Sequence, residues 1–130
     1  MSDQPPVFGI SLVVRDVDAS VAFYRTLGVH ITDEMNWKSQ HVGVPTGGGG
    51  HFDIDSVELT KSYDPGWEGT APIVILRVPS RGDVDVAYER VTAAGHDGHL
   101  APFDAFWGAR YAVVRDPDGN HVGIMSPQEE

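Results

Sequence analysis

The feature that most constrains the fold of this chain is a weak internal duplication of an apolar strand followed by a short amphipathic helix. The strand VFGISLVV begins at Val7 in the first half, and PIVILRV begins at Pro72 in the second. The segment Val17 to Gly28 then matches Val84 to Gly95 at a constant offset of 67 residues. Apolar side chains at positions i, i+4, i+7 and i+10 form one stripe along a helix. The sequence therefore predicts two copies of one supersecondary unit within 130 residues.

Residues that favour helix ends bound each predicted helix. Asp16 and Asp83 lie where N-caps belong, and Gly28 and Gly95 lie where the residue after the C-cap belongs. Segments with strand character follow, and the flexible Gly47 to Gly50 predicts a turn in the first set. The predicted strands are His30–Asp33, Gln40–Val44 and His51–Val57 in the first half, and Gly98–Pro102, Arg110–Arg115 and His121–Met125 in the second. We expect an α+β fold of two tandem βαβββ modules, about residues 7–60 and 71–127, in one domain over 1–130.

The strongest local signal is a hairpin near the C-terminus. Asp116 at position i, Pro117 at i+1 and Gly119 at i+3 favour a type I β-turn. The strand-like segment YAVVR precedes this turn, and HVGIM follows it. The sequence therefore predicts two antiparallel strands here.

Two motifs resemble the vicinal-oxygen-chelate superfamily, which contains glyoxalase I, extradiol dioxygenases and bleomycin-resistance proteins. One is W-G-x-R at Trp107 to Arg110, followed by a strand and D-P-D-G-N. The other is VVRDVDASVAFYRTLGV at Val13 to Val29, which is similar to the usual first motif, although one residue is missing before its Leu-Gly pair. The resemblance covers essentially the whole chain. It implies that the strands of the two modules form an incomplete barrel around an open cleft.

Metal-using members of that superfamily take metal ligands from four strands, and the resemblance carries those positions over to this chain. The glutamate position of the last strand is Gly123, and the early histidine position of the first strand is Gly9. The other two positions fall at Ile73–Val74 and at Asp55–Ser56. A catalytic divalent ion normally needs about three protein ligands of oxygen or imidazole type. We therefore expect no metal at the usual site and no cofactor, as in metal-free members similar to the bleomycin-resistance proteins.

A relocated metal site is the competing prediction. His51, Asp53 and Asp55 alternate with apolar residues, so a strand places all three polar groups on one face. One imidazole and two carboxylates can bind zinc or manganese. The same alternation is typical of a half-buried strand whose polar face meets solvent. The sequence leaves both interpretations open.

Two histidines are candidates for acid–base catalysis. His121 lies on the same strand face as Gly123 and Met125, which is the cleft side according to the resemblance. Its charge can change near neutral pH, as can that of His41 on a neighbouring strand. A structural role is the alternative for each.

The residues left to line the cleft are mainly aromatic, amide and imidazole groups, a mixture typical of small-molecule pockets. Large aromatic faces suit planar or cationic ligands, and Gly123 predicts extra space. Trp67 either folds over a ligand or caps the core. The predicted ligand contacts are Trp37, His41, His51, Asp53, Trp107, Arg110, Tyr111, His121 and Met125, with Gln40 nearby.

The amino-acid composition limits the classes of partner and the kinds of chemistry that we expect for this chain. The formal charge of −10 argues against nucleic acid, whose phosphates need clustered Lys and Arg. The chain has no cysteine, which excludes disulfides and cysteine nucleophiles. It shows no basic leader and no apolar run long enough to span a membrane, so we expect a cytoplasmic protein. The resemblance adds the expectation of a homodimer.

Two functions of different classes follow. The first is a binding protein that sequesters or carries a small molecule, aromatic or cationic, without the usual metal. The second is an enzyme of the glyoxalase or dioxygenase type, a lyase or a dioxygenase, with displaced metal ligands or with metal-independent acid–base chemistry by His121 or His41. The fold hosts both classes.

Overall fold

The computed structural model describes residues 7–26, 29–46, 49–69, 71–115, 117 and 119–129. It divides into two compact units, an N-terminal unit of residues 9–72 and a C-terminal unit of residues 73–129 together with Val7 and Phe8. Both follow the order strand, helix and three strands, which confirms the α+β class and the tandem βαβββ plan. Within the described ranges, no helix is both long enough and apolar enough to cross a membrane.

The elements of the first half of the chain are β1 (Val7–Val14), α1 (Val17–Thr26), a 3₁₀ turn (Asp33–Met35), β2 (Asn36–Trp37), β3 (His41–Pro45), β4 (His51–Ser56) and α2 (Val57–Tyr63). The strands of the N-terminal unit are hydrogen-bonded in the order β2-β3-β4-β1. β1 and β4 are parallel, whereas β3 pairs in antiparallel fashion with both β2 and β4. The Thr46 N–H donates to the Gly50 carbonyl across 2.9 Å and closes the β3–β4 turn, where Gly47 and Gly48 lie outside the described residues.

Helix α1 packs on one side of this sheet. Its Val17 and Val21 are buried against Val42, Val44 and Ile54, which all point to that side because side chains alternate along a strand. The opposite side therefore receives the polar residues of the same strands. This division places the candidate site on the side opposite α1.

The elements of the C-terminal unit are β5 (Ile73–Arg77), α3 (Arg81–Ala93), β6 (Gly98–Asp104), β7 (Arg110–Arg115) and β8 (His121–Met125). The strands follow the order β5-β8-β7-β6. Helix α3 packs through Val84 on a cluster formed by Val78, Ala112, Val114 and Ile124. Both strands of the predicted C-terminal hairpin are confirmed, although Asp116 and Asp118 of its turn lie outside the described residues.

Two expectations for the first half were wrong. Residues 30–33 form no strand in the structure, because buried Ile31 packs against the α1 core and its carbonyl accepts two hydrogen bonds from Arg25. The short strand β2 follows instead. The predicted strand at His51–Val57 stops at Ser56, whose hydroxyl accepts from the Leu59 N–H and caps the unexpected helix α2.

The helix ends agree in part with the sequence. Asp16 caps α1 by accepting from the Ala19 N–H at 3.0 Å. The predicted cap at Asp83 was wrong, since α3 begins earlier and Ser80 is its N-cap, with the Asp83 N–H donating to the Ser80 hydroxyl. Gly95 ends α3 at a φ of 95°, a value that glycine adopts readily. Gly28 lies outside the described residues.

Candidate functional site

The pairing register of the N-terminal unit collects acids and imidazoles on the side opposite α1. In the β3–β4 ladder His41 lies across from Asp55, and Gly43 lies across from Asp53. Along β1, Ser11 lies beside Asp53. Residues opposed in this way share a face of the sheet, so the predicted common face for His51, Asp53 and Asp55 is present.

Asp55 is the best-anchored member of this group. Its side chain is 11% exposed, and its Oδ2 accepts a hydrogen bond of 2.8 Å from the Ser11 hydroxyl. Its Oδ1 contacts Nδ1 of His41. Both carboxylate oxygens of Asp55 therefore already have a partner within the N-terminal unit.

The contact with Asp55 affects both the pKa of His41 and the choice of the ring nitrogen that faces a ligand. The hydrogen bond to Asp55, together with the charges of Asp55 and Asp53, raises the pKa of His41 against the opposing effect of burial. With Nδ1 held by Asp55, the outward nitrogen Nε2 is the atom that can meet a ligand, and the side chain is 41% exposed. The arrangement can donate a hydrogen bond or a proton from Nε2.

Asp53 has a different environment. Its Oδ1 is buried and makes no hydrogen bond with the described residues, although Nδ1 of His51 lies 3.4 Å away. Burial, with the charge of Asp55 added to it, raises the pKa of Asp53, and the charges of His41 and His51 only partly oppose this. A buried acid with an unused acceptor atom is a group that a ligand can satisfy.

Gly43 leaves open space between these groups. A Cβ at Gly43 would lie 3.4 Å from Nε2 of His41 and 3.5 Å from Oδ1 of Asp53. Both reactive atoms therefore border the same small gap above the sheet. A ligand group placed there can accept from the imidazole and donate to the carboxylate.

The positions that hold metal ligands in the resemblance do not fit a metal here. A Cβ at Gly9 would overlap the carbonyl oxygen of His51, so no coordinating side chain fits at that position. A Cβ at Gly123 would lie 2.5 Å from the Tyr111 hydroxyl oxygen. Ile73 is buried and aliphatic and has no coordinating group, which leaves Asp55, already hydrogen-bonded to Ser11, as the one carboxylate at these positions.

The space expected above Gly123 is filled by the ring of Tyr111, which is 3% exposed. Tyr111 also meets the ring of Trp107 edge-on, with centroids 5.3 Å apart, and Trp107 meets Phe103 and Phe106 in the same way. Gly123 thus allows an aromatic cluster to pack and does not enlarge a cavity. Met125 lies across from Tyr111 in the β7–β8 ladder and is half-buried.

Arg110 lies on the helix side of the C-terminal sheet, because it directly precedes Tyr111 and side chains alternate. Its Nε and Nη2 donate to Asp85 of α3 at 2.9 and 2.8 Å, and its Nη1 donates to Asp104 at 3.0 Å. The guanidinium ties the helix to the sheet. We therefore do not include Arg110 among the proposed ligand contacts.

The other candidates are spread between the two units. Trp37 is 49% exposed, with Nζ of Lys38 5.2 Å from its ring.

His121 contacts His99, a residue that was not among the candidates from the sequence, with ring centroids 4.5 Å apart. Arg115 lies 2.7 Å from Nδ1 of His99, and since arginine only donates, this nitrogen is an acceptor and the proton of the neutral ring is on Nε2. Alternation along β6 could not identify His99, because that strand contains register shifts.

Comparison with known proteins agrees with this fold. Solved structures of similar fold include an NAD-dependent benzaldehyde dehydrogenase from Legionella pneumophila (TM-score 0.70, 16% identity, covering 92% of this chain and 98% of that one). A superfamily member from Vibrio splendidus has a TM-score of 0.68 at 16% identity and covers 95% and 100% of the two chains. A Mn(II)-bound glyoxalase from Novosphingobium aromaticivorans has a TM-score of 0.68 at 18% identity and covers 100% of this chain and 43% of that one. At these identities the likeness shows the fold alone.

Curated relatives add a partial match. An uncharacterised protein of Mycobacterium bovis is 37% identical over 70 residues, which are 54% of this chain and 45% of that protein. The match therefore spans less than half the length of that relative. The family model described as the Glyoxalase/Bleomycin resistance protein/Dioxygenase superfamily matches residues 8–124. The chain belongs to the glyoxalase/bleomycin resistance protein/dioxygenase superfamily.

Proposed function

We propose that this chain is a small-molecule-binding member of the superfamily that works without the usual metal site. The observation that carries the proposal is steric: the backbone carbonyl of His51 blocks a side chain at Gly9, and the ring of Tyr111 blocks one at Gly123. In the packing of this structure, two of the four ligand positions therefore have no room for a coordinating side chain.

The proposed ligand contacts in the N-terminal unit are His41, His51 and Asp53, with exposed Trp37 on the neighbouring strand β2. They combine one aromatic face, two imidazoles and a buried carboxylate with an unused acceptor atom. Such a surface suits a planar ligand that carries a hydrogen-bond donor or a positive charge. In the C-terminal unit the proposed contacts are Trp107, Tyr111, His121 and Met125.

A metal-independent enzyme is the second candidate, and the Ser11–Asp55–His41 chain of hydrogen bonds favours it. A carboxylate that holds one imidazole nitrogen and leaves the other outward is the arrangement of a general acid or base. In this role His41 would transfer a proton at Nε2. Asp53 would bind and orient the substrate from the opposite side of Gly43.

Metal analysis of freshly purified full-length protein tests the metal-free proposal. We expect far less than one zinc, iron, manganese or nickel per chain by mass spectrometry, and no change of melting temperature with excess chelator. One metal per chain, lost in His51→Ala, would instead support the relocated site at His51, Asp53 and Asp55. One metal lost in His121→Ala would place it in the C-terminal unit, and either result would overturn the proposal that the chain binds its ligand without a metal.

We also propose a homodimer, as the family resemblance suggests. Light scattering coupled to size-exclusion chromatography tests this directly. A mass of 28 kDa is expected, twice the 14.1 kDa of one chain, and a mass of 14.1 kDa over a wide concentration range would contradict it.

A further inference from the structure

The C-terminal unit contains a cavity of about 310 Å³ on the helix side of its sheet. Ala87 and Val91 of α3 border it on one side, and Val114 and Val122 of the sheet border it on the other. This volume is at the lower end of the range of small-molecule sites. The cavity is separate from the groups invoked under the proposed function, which lie on the side opposite the helices.

The N-terminal unit shows why the cavity exists. Val122 pairs with Val114 as Phe52 pairs with Val44, and Val91 is the counterpart of Tyr24 in the duplicated helix. In the N-terminal unit Tyr24 and Phe52 meet edge-on, with centroids 5.1 Å apart, and fill the space between helix and sheet. The C-terminal unit has two valines at these positions. The space of two aromatic rings is thus left partly empty.

The one aromatic ring of α3 does not compensate for this loss. A Cβ at Gly98 would overlap the hydroxyl of Tyr88, so this ring lies over the glycine of β6. Tyr88 is accordingly not among the residues that line the cavity. The apolar walls remain available to a ligand.

Basic side chains border the same cavity. Arg90 and His96 are exposed cavity residues and make no side-chain hydrogen bond or ion pair with the described residues. Arg115 is a third, partnered by His99 and Asp97. The chain has 9 Lys and Arg, 6 His and 19 acidic residues, so two arginines and a histidine at one cavity make this place more basic than the chain as a whole. Cations near a helix C-terminus also stabilise the helix dipole, but that effect does not explain an apolar cavity beside them.

We propose that this cavity is a second binding site, for a small molecule with an apolar ring or short chain and a carboxylate group. The ring takes the space that Tyr24 and Phe52 fill in the other unit, and the carboxylate pairs with Arg90 and His96. Arginine recognises carboxylates through parallel hydrogen bonds, which supplies the specificity that the apolar walls lack.

A titration of the isotope-labelled full chain with 3-phenylpropionate, followed by two-dimensional NMR, tests the proposal. We expect saturable shifts at the amides around Ala87, Val91 and Val122, and binding at least about tenfold weaker for 3-phenylpropan-1-ol and for 3-phenylpropylamine. Arg90→Gln should weaken binding of the carboxylate by about tenfold as well. Arg15→Gln is the matched control, because it removes the same charge from an exposed position in the other unit and should leave binding unchanged.

Val91→Tyr introduces the residue type that α1 has at the matching position, Tyr24. This variant should abolish the shifts without lowering the melting temperature. If that variant unfolds, Val122→Phe applies the same test from the strand side. The proposal is overturned if the acid, the alcohol and the amine bind equally well. It is also overturned if the acid gives no saturable shifts, or if the shifts persist in a folded, cavity-filled variant.

Discussion

The hydroxyl of Tyr111 lies directly over Gly123, 2.5 Å from the point where a Cβ would be. The two residues lie diagonally on adjacent strands, two residues out of register, since Tyr111 pairs with Met125 and Gly123 pairs with Val113. At the position that the family resemblance assigns to a glutamate ligand, this chain has a glycine covered by an aromatic side chain. The position of the Tyr111 ring therefore requires a residue without a side chain at position 123.

This relationship predicts a coupled pair of substitutions. Gly123→Ala should reduce the free energy of unfolding by about 1–3 kcal/mol, because the added methyl group forces the buried ring to move. In a Tyr111→Phe background the loss should be smaller, since the closest atom is gone. Urea unfolding of the four proteins in the cycle measures the difference. Equal losses in both backgrounds would contradict the steric explanation.

A second prediction concerns the pH dependence contributed by His41. The contact with Asp55 raises the pKa of His41 in the folded state, so its stabilising effect is full below about pH 6.5 and is lost as the pH rises through the folded-state pKa. His41→Gln should cost about 1 kcal/mol at pH 5.5, a low value because the side chain is 41% exposed, and less at pH 9. The exposed His30→Gln is the control for the replacement of an imidazole by an amide. A cost that does not change with pH would contradict this assignment.

A third prediction is that the buried carboxylate of Asp53 lowers the stability of the folded protein at neutral pH. Burial raises the pKa of Asp53 in the folded protein, so its contribution is favourable below about pH 4 and is lost as the pH rises through the folded-state pKa. Asp53→Asn should therefore raise the melting temperature at pH 7, and this gain should shrink as the pH falls toward 4. Glu89→Gln, at an exposed position, should change it little. A lower melting temperature for Asp53→Asn at pH 7 would show that the carboxylate is satisfied in the folded state.

The sequence was sufficient where a local pattern decides the structure. The strands on both sides of the C-terminal turn were predicted at their observed bounds, since alternation and turn residues act within a few positions. Helix α2 was missed because its seven residues are too few to establish a period and its cap, Ser56, ends a strand. Residues 30–33 resemble a strand in composition, but Ile31 is buried by helix α1 and not by sheet pairing.

The candidate site was predictable only in part. Alternation correctly placed His51, Asp53 and Asp55 on one face, but the contact of His41 with Asp55 depends on the register of a hairpin. Alternation alone would also have separated Arg110 from Tyr111, which are consecutive and so point to opposite faces. The overlap between a side chain at Gly9 and the His51 carbonyl arises from the close approach of the β1 and β4 backbones, and no pattern of side chains in the sequence indicates that approach.

The last prediction separates the roles of two tryptophans. Trp67 is 2% exposed, and its indole N–H donates to the Gly69 carbonyl at 2.9 Å, so we assign it a structural role as a buried side chain. Trp67→Ala should reduce the free energy of unfolding by about 3–5 kcal/mol.

Trp107 is only half-buried, so Trp107→Ala should cost less stability. It should, however, weaken a ligand found by thermal-shift screening more than Trp67→Ala does. Chemical denaturation and a ligand titration under conditions where both variants are folded measure the two effects. Equal weakening of the ligand by the two substitutions would remove Trp107 from the proposed contacts.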